Sequence, residues 1–171
     1  MKQAICDSGP LTHLWQIGLW SALKLFSTIH LSTQVAQETR NHVPIERLAE
    51  FATSDVQIHN VNETEIDVAR RNLSSGINLQ EAALSILILA QRLAHDFVLT
   101  DDLALRQTLE EQGYTPMGSV GILLHAYKTK QIDKLALDHA IDQLFVESTL
   151  YLSPSFKAYV RRLINELTQN D

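Results

Sequence analysis

Short apolar runs alternate along the chain with stretches of helical period, and the alternation predicts the fold class. The runs Gln3–Cys6, Phe26–Leu31, Val56–Val61, Phe97–Thr100 and Tyr114–Met117, several of them rich in Val, Ile, Phe or Thr, read as strands. Between them Leu11, Leu14, Trp15 and Gly18 follow a helical stripe. Further helices are predicted over Val35–Phe51, Glu63–Leu73, Leu79–Leu93, Leu103–Gln112 and Val120–Thr129. Asn62 with Glu65, and again Asn78 with Glu81, carry the spacing of a capping box. Strands alternating with helices of this length imply an α/β fold, a mainly parallel sheet covered on both faces in three α/β/α layers. After Ile132 the period is helical only. Leu135, Leu137, Ile141, Leu144 and Phe145 precede a break at Ser153-Pro154 and a last helix over Phe156–Leu167. This C-terminal helical hairpin, about 133–171, is expected to pack on the sheet or a partner as part of one domain, 1–171.

Composition narrows the function more than the fold. With 45% hydrophobic and 20% charged residues, 6 Gly and 4 Pro, the 171-residue chain excludes the disordered and collagen-like classes. Its net charge of −6 argues against indiscriminate binding to a phosphate backbone while leaving room for a local basic groove. The single cysteine, Cys6, excludes an internal disulfide and a cysteine-based zinc site, and fits a reducing cytoplasm. Asp7 interrupts any early secretory apolar segment, and Ala82–Ala90, flanked by Glu81 and Arg92, is too short to span a bilayer and reads as a buried helix. No membrane partner is expected.

Candidate chemistry gathers at strand ends, where open parallel sheets place their sites. Strand one ends in Asp7-Ser8-Gly9-Pro10 and strand four in Thr100-Asp101-Asp102. Each acid also reads as a loop or N-cap residue. Together, carboxylates at the ends of neighbouring strands would share one crevice and repel, which a hard cation, Mg²⁺ or Mn²⁺, would relieve. Glu38, one turn into the helix after strand two, is either a further acid or part of a solvated face. Glu81 is either a ligand or half of a capping box. Ser119 in Gly118-Ser119-Val120-Gly121 reads as a plain N-cap before it reads as part of an anion site. Arg70, Arg71, Arg92 and Arg106 are candidate phosphate contacts if they flank the crevice. The seven histidines have no metalloprotease spacing, and no phosphate-binding P-loop is present.

The order Ile5-Cys6-Asp7-Ser8-Gly9-Pro10-Leu11, Val35-x-x-Glu38, an acid opening the helix over Leu79–Leu93, then Leu99-Thr100-Asp101-Asp102 with Leu105-Arg106, resembles the PIN domain. PIN domains are compact metal-dependent ribonucleases that include VapC-type toxins. A less characterised PIN-like branch is similar also in Gly118-Ser119-Val120-Gly121-Ile122-Leu123 before a helix ending near Gln131-Ile132. The resemblance covers nearly the whole chain. It implies that Asp7, Glu38, Glu81 and Asp102 are the catalytic acids and that Asp7, Asp102, Asp101 and Glu81 surround Mg²⁺ or Mn²⁺, with Ser8 and Thr100 as hydroxyl supports. It implies single-stranded RNA as substrate, an antitoxin protein as partner in the toxin-like case, and a homodimer. The branch has a Gly-Glu-x-Glu-Ala-Ile pattern in its fourth helix; here Ser85 falls at the second Glu, and Glu81 lies one turn earlier, about 5.4 Å away along the axis. The expected activity is therefore metal-dependent hydrolysis of RNA phosphodiesters. The rival is a PIN-like interaction protein impaired by the missing acid. A different Mg²⁺-dependent phosphotransferase is disfavoured by the lack of Asp-x-Asp at strand one.

Overall fold

The computed structural model describes residues 2–52 and 55–169. Five strands, β1 (Gln3–Cys6), β2 (Thr28–Ser32), β3 (Asp55–His59), β4 (Phe97–Leu99) and β5 (Pro116–Met117), lie in the order β3-β2-β1-β4-β5. All four pairings are parallel. The connections are helical: α1 (Ser8–Gln16), α2 (Thr33–Arg40), α3 (Leu48–Phe51), α4 (Glu63–Arg71), α5 (Glu81–Arg92), α6 (Leu103–Glu111) and α7 (Ser119–Lys128). Two more, α8 (Lys134–Val146) and α9 (Pro154–Gln169), complete the chain's helices among the described residues. The architecture is the expected three-layer α/β/α sandwich. Its strand order reverses at β1, so the crevice between β1 and β4 is the topological switch point.

The core follows from side chains with no route to water. Ile5, Ile29, Leu31, Val98 and Leu99 of the strands are fully buried. Helix α5 is buried nearly all round, with every residue from Ala83 to Leu87 inside, because it packs at once on β1, β2, α2 and α4. Burying each large aliphatic side chain contributes about 1.5–3 kcal/mol. Leu137, Ala140, Ile141 and Leu144 of α8 and Val160 and Ile164 of α9 join the same cluster, so the C-terminal hairpin is seated on the body of the protein. On β2 the alternate face is polar: Thr28 donates to Asp55 at 2.9 Å, and His30 Nδ1 lies 3.0 Å from His59 Nε2, tying edge strand β3 to its neighbour. Burial is the main reason both imidazoles titrate below the ordinary histidine range.

Three local expectations are corrected. The helix expected over Val35–Phe51 is α2, a 3₁₀ turn at Ile45–Arg47 and α3, because Pro44 has no N–H to donate and disfavours helical backbone at Val43. Phe26 lies outside β2, at the end of a 3₁₀ turn over Trp20–Leu25, and its buried ring meets Phe97 edge-on at 6.0 Å. The third concerns caps. Asn62 and Glu65 form the expected reciprocal box at 3.0 and 2.9 Å. Asn78 and Glu81 do not, since α5 starts at Glu81 itself and its N-cap, Gln80, makes no side-chain capping bond.

Urea unfolding separates the two asparagines. Asn62→Ala should lower stability by about 1 kcal/mol, as loss of an N-cap does. Asn78→Ala should stay within about 0.5 kcal/mol of wild type, as exposed substitutions away from special features do; a cost equal to that of Asn62→Ala would show that Asn78 caps α5 after all.

Candidate functional site

Asp7 follows β1 directly and is buried, with 6% of its surface exposed. It is the N-cap of α1, and its Oδ1 accepts the Ser8 backbone N–H at 2.8 Å. Its Oδ2 accepts the Thr100 hydroxyl at 2.8 Å, across the switch point from the end of β4. These two bonds favour the ionised form but are outweighed. Burial, with the charges of Glu38 and Asp102 adding to it, pushes the Asp7 carboxyl up to about 6. A buried carboxyl crowded by two further acids is a place where positive charge is missing.

Each sequence-predicted residue has a definite place. Thr100 is fully buried; its Oγ1 donates to Asp7 and accepts the Asp102 N–H at 3.1 Å, so one hydroxyl joins both acids. Ser8 supports Asp7 through its backbone N–H. Asp102 is exposed and caps α6, its Oδ1 accepting from Leu105 N at 2.8 Å. Glu38 is exposed on α2. Glu81, exposed at the start of α5, is not among the charges that act on Asp7. One turn further along, Ser85 is fully buried; its hydroxyl donates to the Ala82 carbonyl at 2.6 Å and lies 2.7 Å from Ser32 Oγ, a neutral tie between α5 and the end of β2.

Asp101 is held by a separate set of contacts. Its Oδ1 accepts Ser119 N–H at 2.7 Å, and its Oδ2 accepts the Ser119 hydroxyl at 2.5 Å and lies 2.7 Å from His13 Nδ1. His13 and Asp101 are 12% and 10% exposed in their side chains. The N-cap of α7 is Gly118, and Ser119 is the first helical residue, which corrects its expected role as cap. Sequence reasoning missed this junction of α1, β4 and α7. His13 recurs one turn after Gly9, the helical neighbour on which Asp101 also packs, but nothing in the local pattern pairs it with an acid 88 residues away. Cys6 is an inert neighbour, since burial, with the Asp7 and Asp101 charges adding to it, keeps its thiol protonated.

Asp7, Glu38 and Asp102 offer hard oxygen donors. Among the described residues no three His, Cys, Asp or Glu are gathered into a cage that could hold a metal by themselves.

Compared with known proteins, the chain matches one family model, described as DUF3368: PIN domain, over residues 3–166. No curated protein matches it.

The raised Asp7 carboxyl has a thermodynamic consequence. The folded protein holds this proton between the unfolded carboxyl range, near 3.8, and about 6, so its contribution to stability falls as pH rises through that window. Asp7→Asn removes the ionisable group while its amide oxygen still accepts the Ser8 N–H, and although its NH2 cannot accept the Thr100 hydroxyl, it should be more stable than wild type in metal-free urea melts at pH 7.5, by about 1–3 kcal/mol. The gain should shrink toward zero below pH 4; a pH-independent difference would show that Asp7 is not the group responsible.

Proposed function

Since the chain belongs to the PIN-domain family, whose members are generally nucleases, we propose that it is a metal-dependent ribonuclease that hydrolyses single-stranded RNA, with Mg²⁺ or Mn²⁺ held by Asp7, Asp102 and Glu38. The observation that carries this reading is the buried Asp7 at the switch point, pushed up to about 6 by burial and by two neighbouring acids. When bound there, the ion lowers the pKa of a coordinated water and neutralises charge on the attacked phosphate. The chain's own part is positioning. Thr100 O–H and Ser8 N–H fix the Asp7 carboxylate in one orientation, and the Thr100 hydroxyl also holds the Asp102 backbone. Asp102 spends Oδ1 on α6 and keeps Oδ2 for ligation. In the reaction the water oxygen bonds to phosphorus, its proton passes to solvent or a carboxylate, and the P–O bond to the departing ribose oxygen breaks, that oxygen taking a proton from solvent.

The toxin-like form of this reading adds an antitoxin and a homodimer. Exposed apolar side chains at the end of the C-terminal hairpin support the dimer: Val146 and Tyr151 are 82% and 87% exposed, and Phe156 and Tyr159 also reach the surface. Leu144 from the same stretch is fully buried in the core. A second reading, a PIN-like protein that binds a partner without cleaving RNA, is favoured by Ser85, which fills the inner face of α5 with a neutral hydroxyl.

Cleavage of a labelled single-stranded RNA decides between them. Hydrolysis should require Mn²⁺ or Mg²⁺ and stop with EDTA. It should fall by about 100-fold or more in Asp7→Asn, as expected when a group needed in the transition state is lost. Because metal binding needs the ionised carboxylate, the rate at subsaturating metal should rise with pH through about 6, and saturating metal should move that rise to lower pH. Glu81→Gln should retain most of the activity. No cleavage by wild type with Mn²⁺ would move the assignment to the second reading.

Thermal unfolding gives an independent check: Mn²⁺ should raise the melting temperature of wild type and raise it less in Asp7→Asn. Equal shifts in the two proteins would place the ion elsewhere.

A further inference from the structure

Acids in the crevice account for attack on a phosphate but not for holding one. Of the four arginines that are candidate phosphate contacts, Arg70 and Arg71 are exposed on α4. Arg92 is committed: Nη1 donates to the Asn60 carbonyl at 3.1 Å and Nη2 to Glu65. Arg106 differs from all three. It lies partly buried in the first turn of α6, just after Asp102, and its guanidinium makes no hydrogen bond or ion pair among the described residues.

Its position is set by a missing side chain. A Cβ at Gly118 would stand 2.9 Å from Arg106 Nη2, 2.9 Å from Asp101 Oδ1 and 3.5 Å from the Thr100 carbonyl oxygen. Gly118 has an ordinary φ of −85°, so no backbone conformation requires glycine there; what the glycine supplies is space. Asp101 has little freedom to yield that space, because Ser119 and His13 hold both of its oxygens. The notch therefore admits the Arg106 guanidinium beside the Asp101 carboxylate and the Thr100 carbonyl.

A guanidinium has five N–H donors and no acceptor, and partial burial without partners costs free energy that a bound anion recovers. Its planar fork matches two oxygens of a phosphate, which a lysine does not. We propose that Arg106, lodged in the Gly118 notch beside the loop after β4, is a phosphate-binding site that grips the non-bridging oxygens of an RNA backbone phosphate. The identity of the polyanion rests on the nuclease reading. In a chain of net charge −6, with acids crowding Asp7, such a cation also offsets the repulsion that an incoming phosphate meets.

The test is binding of a short fluorescent single-stranded RNA to the full chain in EDTA, where hydrolysis does not intervene, at several salt concentrations. Arg106→Gln should weaken binding by about 10-fold or more, the scale of a charge-assisted pair. It should also make the slope of log K against log salt shallower by about 0.7, the value for one phosphate contact on a single strand. Arg106→Lys should keep the slope and lose part of the affinity, and Arg70→Gln should change neither. Wild-type affinity and slope in Arg106→Gln, an equal loss in Arg70→Gln, or no RNA binding by wild type would overturn the proposal. RNA binding that depends on Arg106 without Mn²⁺-dependent cleavage would instead overturn the nuclease reading and leave the phosphate site standing. Cleavage unchanged in Arg106→Gln at every RNA concentration would do the reverse.

Discussion

The hydrogen bond from the Thr100 hydroxyl to Asp7 is the contact on which the rest of the site depends. It spans the one place in the sheet where the strand order reverses, and it joins the end of β1 to the end of β4. Because the parallel register sets Cys6 against Leu99, the next residues along both strands, Asp7 and Thr100, arrive side by side without further adjustment. The same hydroxyl accepts the Asp102 N–H, so an acid from β1 and an acid from the β4 loop are fixed by one small side chain. Losing that hydroxyl would leave a buried carboxylate short of a donor, which is costly in a site already starved of positive charge.

Adjacent acids in the loop after β4 divide the work. Asp101 is nearly enclosed, spending its oxygens on Ser119 and His13, and so binds the start of α7 and one face of α1 to the sheet. Asp102 stays exposed, caps α6 with one oxygen and contributes its charge to the environment of Asp7. One residue of chain separates a structural clamp from a group open to ligand. The glycines follow from the clamp: Gly9 leaves room for Asp101 on α1, and Gly118 leaves room for both Asp101 and Arg106.

Crowded acids are tolerated because the fold beneath them is apolar and fully buried. Helix α5, buried on nearly every side, and the fully buried strands supply the burial energy against which the strain of an ionised Asp7 is set. The Ser32–Ser85 pair closes the space between β2 and α5 without adding another charge. An acid at Ser85 would lie inside the protein, where it would need either a cation or a proton to be stable.

Much of the fold was legible in the sequence because strand and helix periods are local properties. Alternation of strand-like and helical segments implied a parallel sheet, and the sequence positions of Asp7 and Asp102 beyond strand ends marked the crevice. The capping box at Asn62 and Glu65 was legible for the same reason, since both partners lie within one turn. The identical spacing at Asn78 and Glu81 failed because tertiary packing set where α5 begins. Tertiary structure alone decided which groups share the crevice. It brought His13 to Asp101 across 88 residues, and left the Arg106 guanidinium without a partner among the described residues while Arg92 found one. Sequence spacing specifies which side chains share a turn or a strand face; which side chains meet across elements, and which carboxyl is buried enough to hold its proton up to about pH 6, is settled only when the layers pack and exclude water.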